Sequence, residues 1–297
     1  RGRPAGRGGG RSNRCRAWRG GSGRGRGQPE RPRVAGPQEG HVHVRGKLVS
    51  LTAGEATKLD EVRNLGSLLV SLKIDADTLQ VSTHTRLNSI VSIADVDDLK
   101  IQQMDFNGEA SLLLSAVGDL SLNTNLSIAG TPYSLLRMES TAGDLRLNAN
   151  LAVGEGNISL LAEGSVLQGV GTLLDNRSGG VDIQARTGVF QQAEGASIVV
   201  AKRAGSTKAD GNVRIQAAQD ITVDRIDAGA GLVALQSTQG GLKALADDAA
   251  EDVLAGGLLV DVATQVGDAG LGFGFFPFSL RLISIQRRLQ GSGKRID

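Results

Sequence analysis

The sequence predicts an all-β chain, a β-solenoid behind a disordered N-terminal tail, and three observations predict it. Apolar residues in the body alternate with polar ones at period two, the strand signal, and no long window keeps a helical period. The apolar mass is Leu, Val, Ile and Ala, with 6 Phe, 1 Tyr and 1 Trp in 297 residues. That composition suits thin stacked layers rather than a globule whose irregular core is filled by aromatics. Finally, short phrases of one form recur along the chain, and repeats of about 20 to 30 residues mean stacked units.

Charge divides the chain into unlike parts. Residues 1–46 hold 12 Arg, no Lys and only Glu30 and Glu39, a net +10, while the remainder carries −8. The same 46 residues hold 13 Gly and 4 of the 6 Pro, and they bury too little apolar surface to offset ordering entropy. Disorder is expected there. GRGGGR (6–11) and GSGRGRG (21–27) resemble Arg-Gly segments that hold single-stranded nucleic acid by charge and stacking. Such segments interleave aromatics, and Trp18 stands alone. Residues 1–33 therefore read as a nucleic-acid binder less readily than as a basic linker or as GC-rich DNA translated in a wrong frame. Cys15 is the single cysteine, so no intrachain disulfide forms. The chain starts with Arg, shows no secretory signal and reads as an internal piece of a longer one. No apolar run is long enough for a transmembrane helix.

Residues 47–270 form the repeating body. KLVSLTAG (47–54) opens it, and GDLSLNTNLSIAG (118–130), GDLRLNANLAVG (143–154), GNISLLAEGSVL (156–167), GVDIQARTGVF (180–190) and GNVRIQAAQDITV (211–223) share one phrase. Each reads Gly, a polar residue, apolar-x-apolar, a small polar corner and a second apolar-x-apolar pair. The segment from Asp98 to Asp105 matches that from Asp220 to Asp227 at all patterned positions. Gly and Asn suit corners that need positive φ or a local hydrogen bond. Strands stacked in parallel are expected to point Leu120, Leu122, Leu145, Leu147, Ile158, Leu160, Val213 and Ile215 inward, over about ten coils at about 4.8 Å each. Thr131–Thr141 and Ala201–Asp210 read as loops that interrupt the phrase. Residues 271–297, with 4 Phe in Phe273–Phe278 and a basic finish, depart from the pattern. They read as a frame error, a cap or a membrane-surface segment.

The phrases at 94–130, 211–242 and 252–270 resemble the shaft repeats of filamentous haemagglutinin-like adhesins, very large repetitive bacterial exoproteins. The resemblance covers about residues 47–270 and carries no catalytic motif. It implies a right-handed parallel β-helix, a structural role in adhesion or display, and a place outside the cell or at the bacterial cell surface. It also implies glycan or protein ligands on a host or cell surface, no integral membrane segment, and no nucleic acid beyond the exception at residues 1–33. An excised piece with bare ends is expected to associate end to end.

Some parallel β-helices act on polysaccharides, and paired carboxylates would be the catalysts. Asp119 and Asp144 share a phase and could pair at glycosidase spacing, but Asn157 and Asn212 take the same place in other phrases. Exchange of Asp for Asn points to corners that bond local backbone. Asp95, Asp97 and Asp98 form one acidic cluster and Asp75 with Asp77 another, and neither follows the EF-hand spacing. His41 and His43 share a side of a strand, and with only His84 elsewhere they complete no metal ligand set. Tyr133 and Trp18 are too few for sugar-stacking platforms. No nucleophile motif or phosphate loop is present. The expectation is a non-enzyme with no catalytic, cofactor or metal residues and no cofactor. A carbohydrate-active β-helix is the alternative.

Overall fold

The computed structural model describes residues 42–53, 65, 70–83, 89–106, 108–129, 131, 134–176, 179–202, 209–245, 251–264, 266 and 273–275. The expected disorder of residues 1–41 and the reading of the C-terminal segment beyond 275 lie outside them, as do Cys15, Trp18, His41, His84 and Tyr133. All described residues fall within the unit Pro32–Asp297. They form 26 strands and no helix.

The chain winds so that successive coils stack parallel strands into two sides and, from Leu126 onward, a third. The first side has ten strands, running from Val44–Arg45 to Gly257–Val262. The second has nine, from Leu48–Ala53 to Leu242–Ala244, and the third has seven, from Leu126–Ile128 to Phe273–Phe275. All strand pairs among the described residues lie between successive coils. This is the β-solenoid that the repeats predict. The first strand starts at Val44, inside the segment that composition assigns to the tail, and Val44 pairs with Ile74.

Inward positions form continuous aliphatic ladders. On the first side Leu112, Leu136, Ile158, Val181, Val213 and Val233 stack in register, and beside them run Leu114, Met138, Leu160, Ile183, Ile215 and Leu235. On the second side Leu99, Leu120, Leu145, Val166, Phe190 and Ile221 do the same. All eight residues expected to point inward are buried to 2% exposure or less. Like side chains repeat at the strand spacing, so each packs against near-copies of itself. Strand partners in adjacent coils lie from 20 to 32 positions apart in sequence, so coils differ mainly in the length spent at corners.

Two expectations need correction. Thr131–Thr141 is not one loop. Leu135–Ser140 is a wall strand of the first side, with Leu136 and Met138 buried. Its start is set by a local turn in which Thr131 N donates to Ser134 Oγ at 2.8 Å. Nor does the recurring phrase mark one place in the coil. At 118–129 it spans the second and third sides, whereas GNISLLAEGSVL spans the first and second. Every corner poses the same backbone problem, so every corner selects the same residues. Gly143 shows how tight the solution is, because a Cβ there would sit 2.7 Å from Asp119 N. Gly156, at φ 107°, takes a conformation that side chains resist.

The cross-section changes along the stack. The first three second-side strands, Leu48–Ala53, Thr78–Thr83 and Leu99–Phe106, have six, six and eight residues, and no described strand stands on the third side there. Later second-side strands have three residues, and a third side begins at Leu126–Ile128.

Leu145 lies at 0% exposure between Leu120 and Val166. Leu145→Ala is expected to lower unfolding free energy by about 2–5 kcal/mol. Leu167→Ala, at the neighbouring outward-facing row, should change it by less than about 1 kcal/mol. Chemical denaturation of the two variants checks the inward and outward assignment.

Candidate functional site

At all three sides' corners, Asp or Asn side chains accept a backbone N–H from the next coil. Between the first and second sides, Asp98 Oδ1 accepts Asp119 N at 2.7 Å, Asp119 Oδ1 accepts Asp144 N at 2.8 Å, and Asp144 Oδ1 accepts Ser165 N at 2.8 Å. Between second and third sides, Asn125 accepts Asn150 N at 3.0 Å, and Asn150 accepts Leu173 N at 2.8 Å. Between third and first sides, Asn157 accepts Gly180 N at 3.0 Å and Asn212 accepts Leu232 N at 2.8 Å. Leu173 and Leu232 open strands and the other five lie between strands, so the ladders leave these N–H groups without a backbone acceptor.

The carboxylate pair of the sequence analysis lies within this arrangement. Asp119 and Asp144 do stand in adjacent coils, as pairing requires, but Asn157 and Asn212 occupy a different corner and not the same phase. Arg146 clasps both carboxylates, with Nη1 on Asp119 and Nη2 on Asp144 at 2.7 Å. The Asp144 N–H foremost, then the Arg146 guanidinium, hold the Asp119 carboxyl below the ordinary carboxylate range against the opposing effect of burial. An acid catalyst needs the opposite shift. At the equivalent corner Lys243 Nζ binds Asp220 at 2.6 Å and, with the Gly241 N–H, lowers that carboxyl too.

The remaining sequence candidates scatter. Asp75 pairs with Arg45, Asp98 serves the ladder, and Asp77 is exposed at its own corner. His43 Nδ1 accepts Lys73 N at 3.0 Å, so that nitrogen serves the backbone of the next coil. Among the described residues no group of three or more His, Cys, Asp or Glu is placed to hold a metal ion.

Of three buried polar groups, two escaped the sequence reading and the third was read only as part of an acidic cluster. Gln168 and Gln192, 3% and 0% exposed, take the place of Leu122 and Leu147 in the second-side ladder. Gln192 Nε2 donates to Gln168 Oε1 at 3.1 Å, and Gln192 Oε1 receives Asp224 N at 2.9 Å and Arg225 N at 3.2 Å. The glutamines thus complete the backbone bonding of a corner from inside. The third group is Asp95, 3% exposed at the end of Ser89–Asp95. It accepts Ala76 N and Asp97 N, each at 3.0 Å. Burial and the adjacent Asp97 carboxyl push Asp95 up to about 7, against those two donors.

The outer surface of the first side carries a shallow cleft of about 440 Å³ beside its corner with the third side. Ser159, Asp182, Arg214 and Ala234 form one outward row across four coils. Asn157 and Asn212 form the corner edge. Asp182 Oδ2 accepts Gln184 Nε2 at 3.0 Å, whereas Oδ1 is buried, lies 3.3 Å from Arg214 Nε and accepts no hydrogen bond.

Comparison with protein-family models, with curated proteins and with solved structures gives no match.

Asp95 makes a pH dependence. Its folded pKa lies above the unfolded value of about 3.9, so the folded chain binds the extra proton. The stabilisation is complete below about pH 4 and is lost as pH rises to about 7, with a slope of up to about 1.4 kcal/mol per pH unit. Denaturation midpoints measured from pH 4 to 8 should show this fall in the native chain, and Asp95→Asn should flatten it.

Proposed function

We propose that the chain is a structural shaft segment of a secreted or cell-surface, adhesin-like repetitive protein, acting in adhesion or display and not as an enzyme. The observation that carries this reading is the uniformity of the coil. Aliphatic ladders fill the inside and Asx ladders close all three corners, so most side chains are committed to holding a rod. A rod of this kind transmits load along hydrogen-bonded sheets and presents outward rows and corner insertions to partners. The insertion within Ala201–Asp210 is framed by Asp210, which accepts Lys202 N at 2.6 Å and Ala230 N at 2.9 Å, while residues 203–208 lie outside the described part. Host or cell-surface glycans and proteins are the partners this reading assigns, and the extracellular face is its location.

The carbohydrate-active alternative needs a carboxyl free to give a proton. The adjacent pair Asp119 and Asp144 is instead engaged by Arg146 and by corner N–H groups, which supports the structural reading. The nucleic-acid alternative rests on residues 1–33, all outside the described residues.

The deciding measurement is turnover. The full chain incubated with pectin and with glucans should release no reducing or unsaturated ends. Asp119→Asn should keep stability within about 1 kcal/mol of native, because an amide oxygen still accepts the Asp144 N–H, whereas Asp119→Ala should lose about 1–3 kcal/mol. Turnover that Asp119→Asn abolishes would overturn the assignment. Light scattering should in addition show concentration-dependent growth of chains, since the end strands Leu48–Ala53 and Gly257–Val262 each have one strand neighbour among the described residues.

A further inference from the structure

We propose that the rod takes up an extended peptide of a partner protein at a step in its wall, where the third side begins. The step lies in mid-rod and not at an end. Below it the second side runs on as Thr78–Thr83 and Leu99–Phe106, and above it the coil turns into Leu126–Ile128. Leu99–Phe106 pairs upward only through Leu99, Lys100 and Ile101, so no described strand lies over Gln103–Phe106. Leu126–Ile128 is the edge strand of the third side and has no described strand beneath it. Between the two edges lies a cavity of about 470 Å³, with Thr83, Met104, Asp105 and Phe106 on one wall and Asn125 and Ser127 on the other.

Backbone groups on this edge call for a backbone partner. Leu126 N donates upward to Asn150 O, and Ile128 O accepts Gly154 N from the same coil. Bonding direction alternates along a strand, so the Ser127 N–H and C=O point down to the cavity. The Asx ladder of this corner also starts here: Asn125 Oδ1 serves Asn150 N, and no described Asx lies below to serve Asn125 N. A peptide that continued the pattern would carry Asn or Asp under Asn125, apolar residues under Leu126 and Ile128, and one outward residue under Ser127. Met104 and Phe106 favour the apolar pair, being buried and half-buried at the cavity. Asp105 selects the outward residue. It is exposed, accepts Gln103 Nε2 at 2.6 Å and pairs with no described Lys or Arg, so a cation suits it. The phrase is Asx-apolar-Lys-apolar, added as a parallel strand. In this chain Asp98–Ile101, Asp144–Leu147 and Asn212–Ile215 have that form with Lys or Arg, but each is already built into a wall. A second copy would have to unwind to supply one, which assigns the occupant to another protein. The proposal rests on the step alone, so it stands or falls apart from the shaft reading.

The test is fluorescence anisotropy of the full chain with the labelled, capped pentapeptide Asn-Leu-Lys-Ile-Thr. One peptide per chain should bind, with saturation below about 1 mM. Replacing its Lys by Glu should weaken binding about tenfold or more, and N-methylation of its Ile, whose N–H meets Ser127 O, should remove it. Ser127→Pro deletes an edge N–H that no coil uses, at a position proline tolerates, and should abolish binding with the melting curve unchanged. Asp105→Lys, at an exposed site, is the second variant should the first fail to fold, and it should reverse the preference to the Glu peptide. No saturation, an affinity indifferent to N-methylation or to the sign of the charge, or undiminished binding to folded Ser127→Pro would each overturn the proposal. Self-association that Ser127→Pro removes would overturn it too, because the edge would then belong to a second copy.

Discussion

The structure depends on one interaction that recurs at all three corners of the stack: an amide of one coil donating to an Asx oxygen of the coil before it. Strand amides find partners automatically once two coils align, because parallel ladders satisfy them. Corner amides do not, because the chain bends away from the sheet there. A short side chain whose oxygen sits one coil spacing below supplies the missing acceptor, and Asp and Asn have that reach. The bond also sets register. Asp119 can meet Asp144 N only if Leu120 lies under Leu145, so the polar corner fixes which apolar residues stack. Side-chain period is two, and a slip of one residue would turn a whole Leu row outward.

This coupling explains what was legible in the sequence. The alternation in LSL and LRL and the Asp or Asn before or after it are local, and they predict both strand and corner. What local pattern cannot tell is which corner of the coil a phrase occupies. Asp98–Asp105 and Asp220–Asp227 look alike, yet Leu99–Phe106 is one strand while Ile221–Val223 and Arg225–Asp227 lie on two sides. The difference comes from the coil beneath. Gln192 offers its Oε1 to Asp224 N and Arg225 N and so holds a bend there. Leu99–Phe106 instead lies along the unbroken strand Thr78–Thr83, with Ile101 on Leu79 and Met104 on Val81 across one register shift. A bend is thus encoded partly in another coil, which a single phrase does not contain.

The buried polar residues follow the same logic, each at a place where a coil departs from its neighbours. Gln168 and Gln192 replace leucines where a corner exposes backbone groups to the interior, and a long amide satisfies them at less cost than leaving them bare. Asp95 stands where the two-sided coils meet the wider ones, and it ties Ala76 of one coil to Asp97 of its own corner. An amide there would turn its NH2 toward one of the two N–H groups, because Ala76 N meets Oδ2 and Asp97 N meets Oδ1. A carboxyl makes that junction sensitive to pH, and its sensitivity runs opposite to that of Asp119, whose bonds favour the charged form.

The outer rows are under a different constraint from the inner ones, and this bears on where function resides. An inward residue answers to its neighbours in the coils above and below, so Leu145 cannot change without disturbing Leu120 and Val166. An outward residue answers to water or to a partner molecule. Rows such as Arg137 with Glu139, or Gln216 with Gln236 at 2.6 Å, satisfy one another across the surface and leave little chemistry unspent. The row through Ser159, Asp182, Arg214 and Ala234 differs, because two of its four members are too short to fill the space and a shallow cleft opens there. A uniform rod gains a specific surface by shortening a few outward side chains in line, with no change to the ladders that hold it.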